Sequence, residues 1–145
     1  MYNHILIPTD GSPLSSVAVE KSLAFARDAG AKVTVLNVVE PFHVFSTETA
    51  QLSDTKDEYE RQSKEQASQY LAEAELKAKT FGVPCEAVMV RQDQPYKAII
   101  ETAKAKGCDL IAMASHGRKG VSAIVLGSET VKVLTHSTIP VLVYR

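Results

Sequence analysis

A glycine-rich segment in the last third of the chain has the composition of a phosphate-binding loop. It reads ASHGRKG over residues 114–120, and Gly127-Ser128 follows after six further residues, at a predicted helix start. Glycine lets the backbone approach an anion closely, and a helix N-terminus adds unpaired N–H donors and a favourable dipole. Ser128 can donate a hydroxyl hydrogen bond, and Arg118 or Lys119 can neutralise charge. Glycine-rich turns after strands are also common, so these residues alone leave a phosphate site and an ordinary turn open.

Several better-known catalytic and metal-binding patterns do not occur in the sequence. Neither G-x-x-x-x-G-K-[ST] nor G-x-G-x-x-G is found, which disfavours P-loop enzymes and dinucleotide-binding proteins, and G-x-S-x-G is absent as well. The four histidines fit no H-x-x-x-H or H-E-x-x-H pattern, so we expect no zinc site and no metal held by the protein alone. Cys85 and Cys108 lack C-x-x-C spacing and are expected to be buried, reduced thiols.

A second candidate segment, Pro8-Thr9-Asp10-Gly11-Ser12, follows the first apolar run of the chain. An aspartate in such a segment can have a purely structural role, in which it organises a turn by accepting hydrogen bonds from nearby backbone N–H groups. It can also present a carboxylate to a ligand. The residue types do not separate these two roles.

The elements that position these segments alternate regularly along the chain. Short apolar runs rich in branched residues predict strands, longer amphipathic stretches predict helices, and Gly30, Gly82 and Gly107 follow three of the helices. Ser12 before Pro13 is a helix start, because serine can accept an unpaired N–H and proline fits the first helical position. The predicted strands are 4–8, 32–38, 85–90, 110–114 and 140–144, the predicted helices are 13–29, 55–81, 95–106 and 127–136, and 40–54 is a long connection.

The order of elements predicts an α/β fold. Strands that alternate with helices and read as continuous apolar runs imply a doubly wound, open, Rossmann-like sheet of five mainly parallel strands with helices on both faces. Such sheets bind ligands beyond the carboxyl ends of their strands, where the strand order reverses. We therefore expect a site after the first and fourth strands.

The composition is that of an ordinary globular protein. The chain has 145 residues, of which 45% are hydrophobic and 23% charged, and a formal net charge of -1. One domain over residues 1–145 is expected, and the charge gives no general attraction for nucleic acid. Since no apolar run is long enough to span a bilayer, we expect no membrane association and a cytoplasmic location.

Four segments together resemble the universal stress protein family from end to end: ILIPTDGS, LNVVEP, DLIAMASHGRKG and LGSETVKVLTHSTIPVLV. The nucleotide-binding members of that family have Gly-x-x-Gly, nine residues, then Gly-[Ser/Thr] after the fourth strand. The matching positions here are Ala114, Gly117, Gly127 and Ser128. Ala114 departs from the pattern, and its methyl group would crowd a nucleotide if the backbone needed positive φ or a very close approach there.

The resemblance also implies individual roles. Asp10 matches the acidic residue near the ribose, Pro8 and Thr9 flank the same pocket, and Val38 matches an apolar position that frames the adenine, although plain core packing explains Val38 too. His116 and Arg118 belong to the phosphate loop, where a lone histidine is also commonly just a polar turn residue. Glu129 suits a helix N-terminus but would repel a triphosphate if its side chain turned inward.

The family resemblance implies a homodimer that binds ATP, or ADP or AMP, with Mg²⁺ bridging the phosphates, and that acts in stress response or regulation with slow or no hydrolysis. A slow ATPase and a dimerising stress protein without nucleotide are the alternatives, and Ala114 favours the latter. ATP pyrophosphatases and nucleotidyl transferases are disfavoured, since the first loop has neither SGGxDS nor HxGH. The apolar strand 140–144 is expected at the sheet edge, paired with a second copy. A monomer with that edge shielded by 40–54 is the other possibility.

Overall fold

A computed structural model describes residues 1–42, 49–117 and 126–145 of the chain. Arg118 and residues 43–48 of the predicted connection 40–54 lie outside the described residues. The elements are β1 His4–Pro8, α1 Pro13–Ala29, β2 Lys32–Val39, α2 Thr49–Phe81, β3 Cys85–Arg91, α3 Pro95–Ala105, β4 Leu110–Ala114, α4 Ser128–His136 and β5 Val141–Tyr144.

The five strands form one parallel sheet in the order β3-β2-β1-β4-β5. From β1 the chain first adds β2 and β3 on one side, and then crosses to add β4 and β5 on the other. The strand order therefore reverses between β1 and β4, and their carboxyl ends adjoin the crevice where ligands bind in such sheets. The predicted doubly wound α/β fold is confirmed.

Hydrophobic residues cover both faces of the sheet, as the alternation of side chains along a strand requires. Ile5 and Ile7 of β1 lie in a cluster with residues of α1 and α2, such as Leu23 and Ala78. Leu6, between those two isoleucines, belongs to the cluster on the opposite face, which includes residues of α3 and α4. All three β1 side chains are fully buried.

Helix α1 begins and ends where the sequence predicts. The hydroxyl of Ser12 accepts a hydrogen bond from the Ser15 N–H at 3.2 Å, and Pro13 is the first helical residue. Gly30 has a φ of 68°, a left-handed conformation, and its N–H bonds to the carbonyls of Ala26 and Arg27. This well-defined start places the preceding loop, which contains Asp10.

The predicted boundaries differ most at α2. This helix begins at Thr49, six residues before the predicted 55, because Ala50-Gln51-Leu52 favour helix and extend a long, already nucleated helix at little cost. No apolar period marked that part of the segment. Other boundaries moved by one residue; for example, Gly127 is the N-cap of α4 instead of its first residue. In the described part of the chain, no helix is long and apolar enough to cross a membrane.

Both cysteines are free thiols. Cys108 is buried, as expected, whereas Cys85 at the start of the edge strand β3 is only half-buried, because a strand at the edge has a neighbour on one side alone. Burial raises the pKa of each thiol to about 11, so both remain protonated at neutral pH.

Candidate functional site

A cleft of about 570 Å³ opens at the carboxyl ends of the central strands. This volume falls within the range of sites that bind small molecules. Nine of the ten predicted site residues line the cleft, and the tenth, Arg118, lies outside the described residues. The nine are Pro8, Thr9, Asp10, Val38, Ala114, His116, Gly117, Gly127 and Ser128.

Asp10, which follows β1, is held by its own loop and also faces the β4 loop. Its Oδ1 accepts a hydrogen bond from the Ser12 N–H at 2.9 Å, and its own N–H donates to the Ser15 hydroxyl at 3.2 Å. Its Oδ2 lies against Gly117, where a β-carbon added to that glycine would overlap it. Asp10 is therefore a turn-organising residue through one carboxylate oxygen, and the other oxygen lies at the crevice between the two loops.

The segment after β4 is closed at its base by hydrogen bonds to its own strand and to α4. The N–H of Gly127 donates to the carbonyl of Ser115 at 2.8 Å, and the Thr130 hydroxyl donates to the carbonyl of Ala114 at 3.0 Å. A β-carbon on Gly127 would come within 3.0 Å of the His116 Cα. A side chain at position 127 would therefore crowd the His116 backbone, because the two ends of the loop approach each other closely, a reason that the glycine pattern alone does not reveal.

Ala114, the departure from the family pattern, sits in ordinary backbone. It is the last residue of β4 and is buried, and no non-glycine residue in the described ranges has a positive φ. Position 114 therefore does not require glycine for its conformation. Only the closeness of a bound ligand remains as a reason for glycine there.

The N-terminus of α4 lies at the cleft, which Gly127 and Ser128 line, and the first N–H groups of a helix have no partner within the helix itself. Gly127 at the N-cap has no side chain that could accept a hydrogen bond from them. The adjacent Glu129 is turned to another helix: its Oε2 accepts from the Tyr96 N–H in the first turn of α3 at 2.9 Å, and its Oε1 pairs with Lys132 at 3.4 Å. Its charge is thus partly compensated by a helix N-terminus and a cation.

Helix α2 forms a wall of the cleft that the sequence analysis missed. Its contributing residues recur at intervals of three and four and so share one face: Tyr59, Ser63, Gln66, Ala67 and Tyr70. The Tyr59 hydroxyl donates to the carbonyl of Glu40 at 2.9 Å, and the Tyr70 ring fills the space beside Gly11, whose φ is 78°. The amphipathic pattern of this segment predicts a helix, but it does not indicate that one face of that helix lines a ligand cleft.

The β2 end of the cleft is apolar. Val38 is half-buried and packs with the α3 side of the core, and Leu36, Ile99 and Met113 line the cleft near it. The neighbouring Asn37 and the hydroxyl of Ser15, which the sequence analysis also missed, add buried polar groups. The cleft therefore offers an apolar surface at β2, a carboxylate at β1, and glycines with a helix N-terminus at β4, which together suit a ligand with an apolar part, hydroxyls and an anionic end.

Comparisons with known proteins agree with the fold. The model of the universal stress protein family matches residues 1–145. Universal stress protein YxiE of Bacillus subtilis is 30% identical, with all of both chains covered. The solved structure of MJ0577 from Methanocaldococcus jannaschii has a TM-score of 0.81 at 29% identity and covers 99% of this chain and 95% of that one. A universal stress protein in complex with cAMP, with a TM-score of 0.74, 23% identity and coverage of 99% and 97%, shows the same fold.

Proposed function

Because the chain belongs to the universal stress protein family, we propose that it binds an adenine nucleotide, ATP or else ADP or AMP, in this cleft and acts in stress response or regulation. The observation that carries the proposal is that Asp10 and Gly117, which follow the two strands between which the strand order reverses, meet at the wall of one cleft. The cAMP complex of a protein with this fold supports a nucleotide as the class of ligand.

The sugar and base are proposed to lie toward β1 and β2. A carboxylate accepts hydrogen bonds from hydroxyl groups, which makes Asp10 the ribose-binding residue, flanked by Pro8 and Thr9. The adenine then lies along the apolar end of the cleft, framed by Val38. Burial of a flat ring there removes apolar surface from water.

The phosphates are proposed to lie at the β4 end, against Gly117, Gly127 and Ser128. The α4 N-terminus supplies N–H donors and a positive dipole end for an anion, and His116 and Arg118 belong to the same loop. Within the described ranges, no three His, Cys, Asp or Glu side chains are grouped so as to hold a metal ion. Mg²⁺ is proposed to be bound through the phosphates of the nucleotide, which supply the oxygen ligands that it prefers.

Hydrolysis is proposed to be slow or absent. Two carboxylates of the cleft, Asp10 and Glu129, each accept a hydrogen bond from a backbone N–H, at 2.9 Å in both cases. Such bonds restrict the direction of a carboxylate, so neither group is well placed to turn toward a water molecule and activate it.

Titration calorimetry with ATP, ADP and AMP in the presence of Mg²⁺ tests nucleotide binding. We expect micromolar affinity for the unmodified protein and a loss of at least about tenfold for Asp10→Asn, since a charged acceptor forms stronger hydrogen bonds than an amide. The matched control is Asp109→Asn. Asp109 also accepts backbone N–H groups, from Asn3 and His4, but at the opposite end of β1. No heat and no thermal shift with any of the three nucleotides would refute the proposal.

We also propose that two copies of the chain pair through β5. This strand is at one edge of the sheet, bonded to β4 alone, and its backbone can pair with a second β5 around a two-fold axis. Helix α2, to which the connection after β2 leads, packs on a face of the sheet over β2 and β3, away from β5. The position of α2 therefore gives no support to the alternative, a monomer in which residues 40–54 shield the β5 edge.

Light scattering of Val143→Lys tests this interface, and we expect a monomer in place of a dimer because two lysines would approach each other across the axis. Val141 is a less suitable position for the lysine, because its side chain packs against the part of the core that includes α3 and α4. Exposed Lys97→Glu on α3 is the control. A monomeric unmodified protein, or a Val143→Lys variant that remains dimeric, would contradict the proposed pairing.

A further inference from the structure

We infer that Asn37 is a positioning residue that holds the Asp10 carboxylate in place for the ribose hydroxyls. The inference rests on the nucleotide binding proposed above. Asn37 lies near the end of β2 and is 6% exposed. A buried amide side chain is costly unless it forms hydrogen bonds, so the bond that it makes identifies its role.

The Asn37 side chain continues the sheet pairing beyond the end of β1. The last residue pair of β1 and β2 is Pro8 with Leu36, and the next backbone bond runs from the Thr9 N–H to the Leu36 carbonyl at 2.8 Å. The Asn37 Nδ2 then donates to the Thr9 carbonyl at 2.8 Å. Both polar backbone groups of Thr9 are therefore bound to β2, and the peptide that leads into Asp10 has a defined orientation.

A second set of bonds holds the other side of the same peptide. The Ser15 hydroxyl accepts from the Asp10 N–H at 3.2 Å and donates to the Thr9 hydroxyl at 3.0 Å. The side chains of Thr9 and Ser15 are buried. With Asn37 on the Thr9 carbonyl and Ser15 on the Asp10 N–H, the peptide bond between Thr9 and Asp10 is anchored from β2 and from α1.

The direction of the Asp10 carboxylate follows from this anchoring. Its Oδ1 is bound to the Ser12 N–H, and its Oδ2 lies against Gly117. Hydrogen bonds weaken steeply when the angle or distance departs from the optimum, so a rotation of the Thr9 peptide would move the carboxylate out of alignment with sugar hydroxyls. Asn37 itself need not touch the nucleotide for this effect.

Asn37→Leu removes the amide donor and keeps a similar volume. Thr34→Val is the matched control, because Thr34 is another buried polar residue of β2 and bonds to His4 at 2.7 Å, about 10 Å from Asn37 toward the start of the strand. Asn37→Ser, which is too short to reach the Thr9 carbonyl, is the second variant should the leucine prevent folding.

Calorimetry with ATP and with 2′,3′-dideoxy-ATP tests the inference, since the second ligand lacks the sugar hydroxyls. We expect Asn37→Leu and Asn37→Ser to weaken ATP binding about tenfold and dideoxy-ATP binding less than about twofold, and Thr34→Val to change neither. Hydrogen exchange of residues 9–12 without ligand should be faster in both Asn37 variants than in Thr34→Val.

Equal losses for both nucleotides, no loss of ATP affinity, or unchanged exchange of residues 9–12 would each overturn the positioning role. If the unmodified protein binds neither nucleotide, the proposed function itself is wrong, and the role of Asn37 in ribose binding is then wrong as well. Binding of ATP and dideoxy-ATP with equal affinity by the unmodified protein would also overturn the inference, because Asp10 would then make no contact with the hydroxyls.

Discussion

The Oδ2 atom of Asp10 occupies the space that a side chain at Gly117 would fill. The two residues are 107 positions apart in the sequence, and the neighbouring strands β1 and β4 bring them together. A larger residue at position 117 would therefore overlap the Asp10 carboxylate, whether or not a ligand approaches the Gly117 backbone.

Gly117→Ala should displace Asp10 and weaken ATP binding about tenfold, since the new methyl group overlaps the carboxylate. Titration calorimetry measures the affinity. In an Asp10→Ala background the overlap no longer exists, so the added Gly117→Ala should cost less than about twofold. If the two substitutions are additive, the contact between the two residues does not matter for binding.

Gly127→Val should weaken nucleotide binding more than His116→Ala. A β-carbon at position 127 comes within 3.0 Å of both the Cα and the Cβ of His116, so valine would force apart the two ends of the loop. His116→Ala removes a half-buried side chain whose Nδ1 bonds to the Ser115 hydroxyl at 3.1 Å, and leaves the backbone in place. Affinities from calorimetry rank the two variants, and the reverse order would point to a ligand pocket elsewhere.

Ala114→Gly should leave ATP affinity within about threefold, because this position does not need the left-handed conformation that favours glycine. It should also lower the free energy of unfolding by about 0.5–1 kcal/mol, the usual cost of glycine inside a strand. Calorimetry and chemical denaturation measure the two effects. A gain in affinity of tenfold or more would show that the Ala114 methyl group crowds the nucleotide.

His4 should make the protein less stable as the pH falls from about 7.5 to about 5.5. Burial lowers the pKa of His4 below its ordinary value of 6.5 and Lys32 adds to this, although the Lys106 carbonyl, Glu86 and Asp109 oppose it. The unfolded chain therefore binds a proton near pH 6.5, and the folded chain does so only at lower pH. Stability is lost through that interval and levels off below the folded pKa.

The melting temperature of His4→Gln should fall less steeply over this range than that of the unmodified protein. Glutamine stays neutral and retains polar atoms for the bond to Thr34, which His4 makes at 2.7 Å. His136→Gln makes the same change on the exposed surface of α4 and is the control. If the melting temperatures of the unmodified protein and His4→Gln fall equally with pH, His4 is not the source of the pH dependence.

The sequence by itself determined most of the elements and the class of fold. Apolar runs, Ser12-Pro13 and the glycines that follow helices marked most boundaries to within one or two residues, because these signals act through local backbone geometry. Alternation of strands and helices then left a parallel sheet as the way to bury both faces, and its switch point located the cleft. The start of α2 was missed because that first turn and a half carries no apolar period.

Only the tertiary structure decided what the site residues contact. The overlap of Gly117 with Asp10, the bond from Asn37 to Thr9, and the turn of Glu129 toward the first turn of α3 all join residues far apart in the chain. The face of α2 that lines the cleft likewise follows from how the helix packs beside β2. Local propensity specifies which backbone conformation a residue adopts, whereas these contacts depend on where the sheet brings the strand ends together, and that information is distributed over the whole chain.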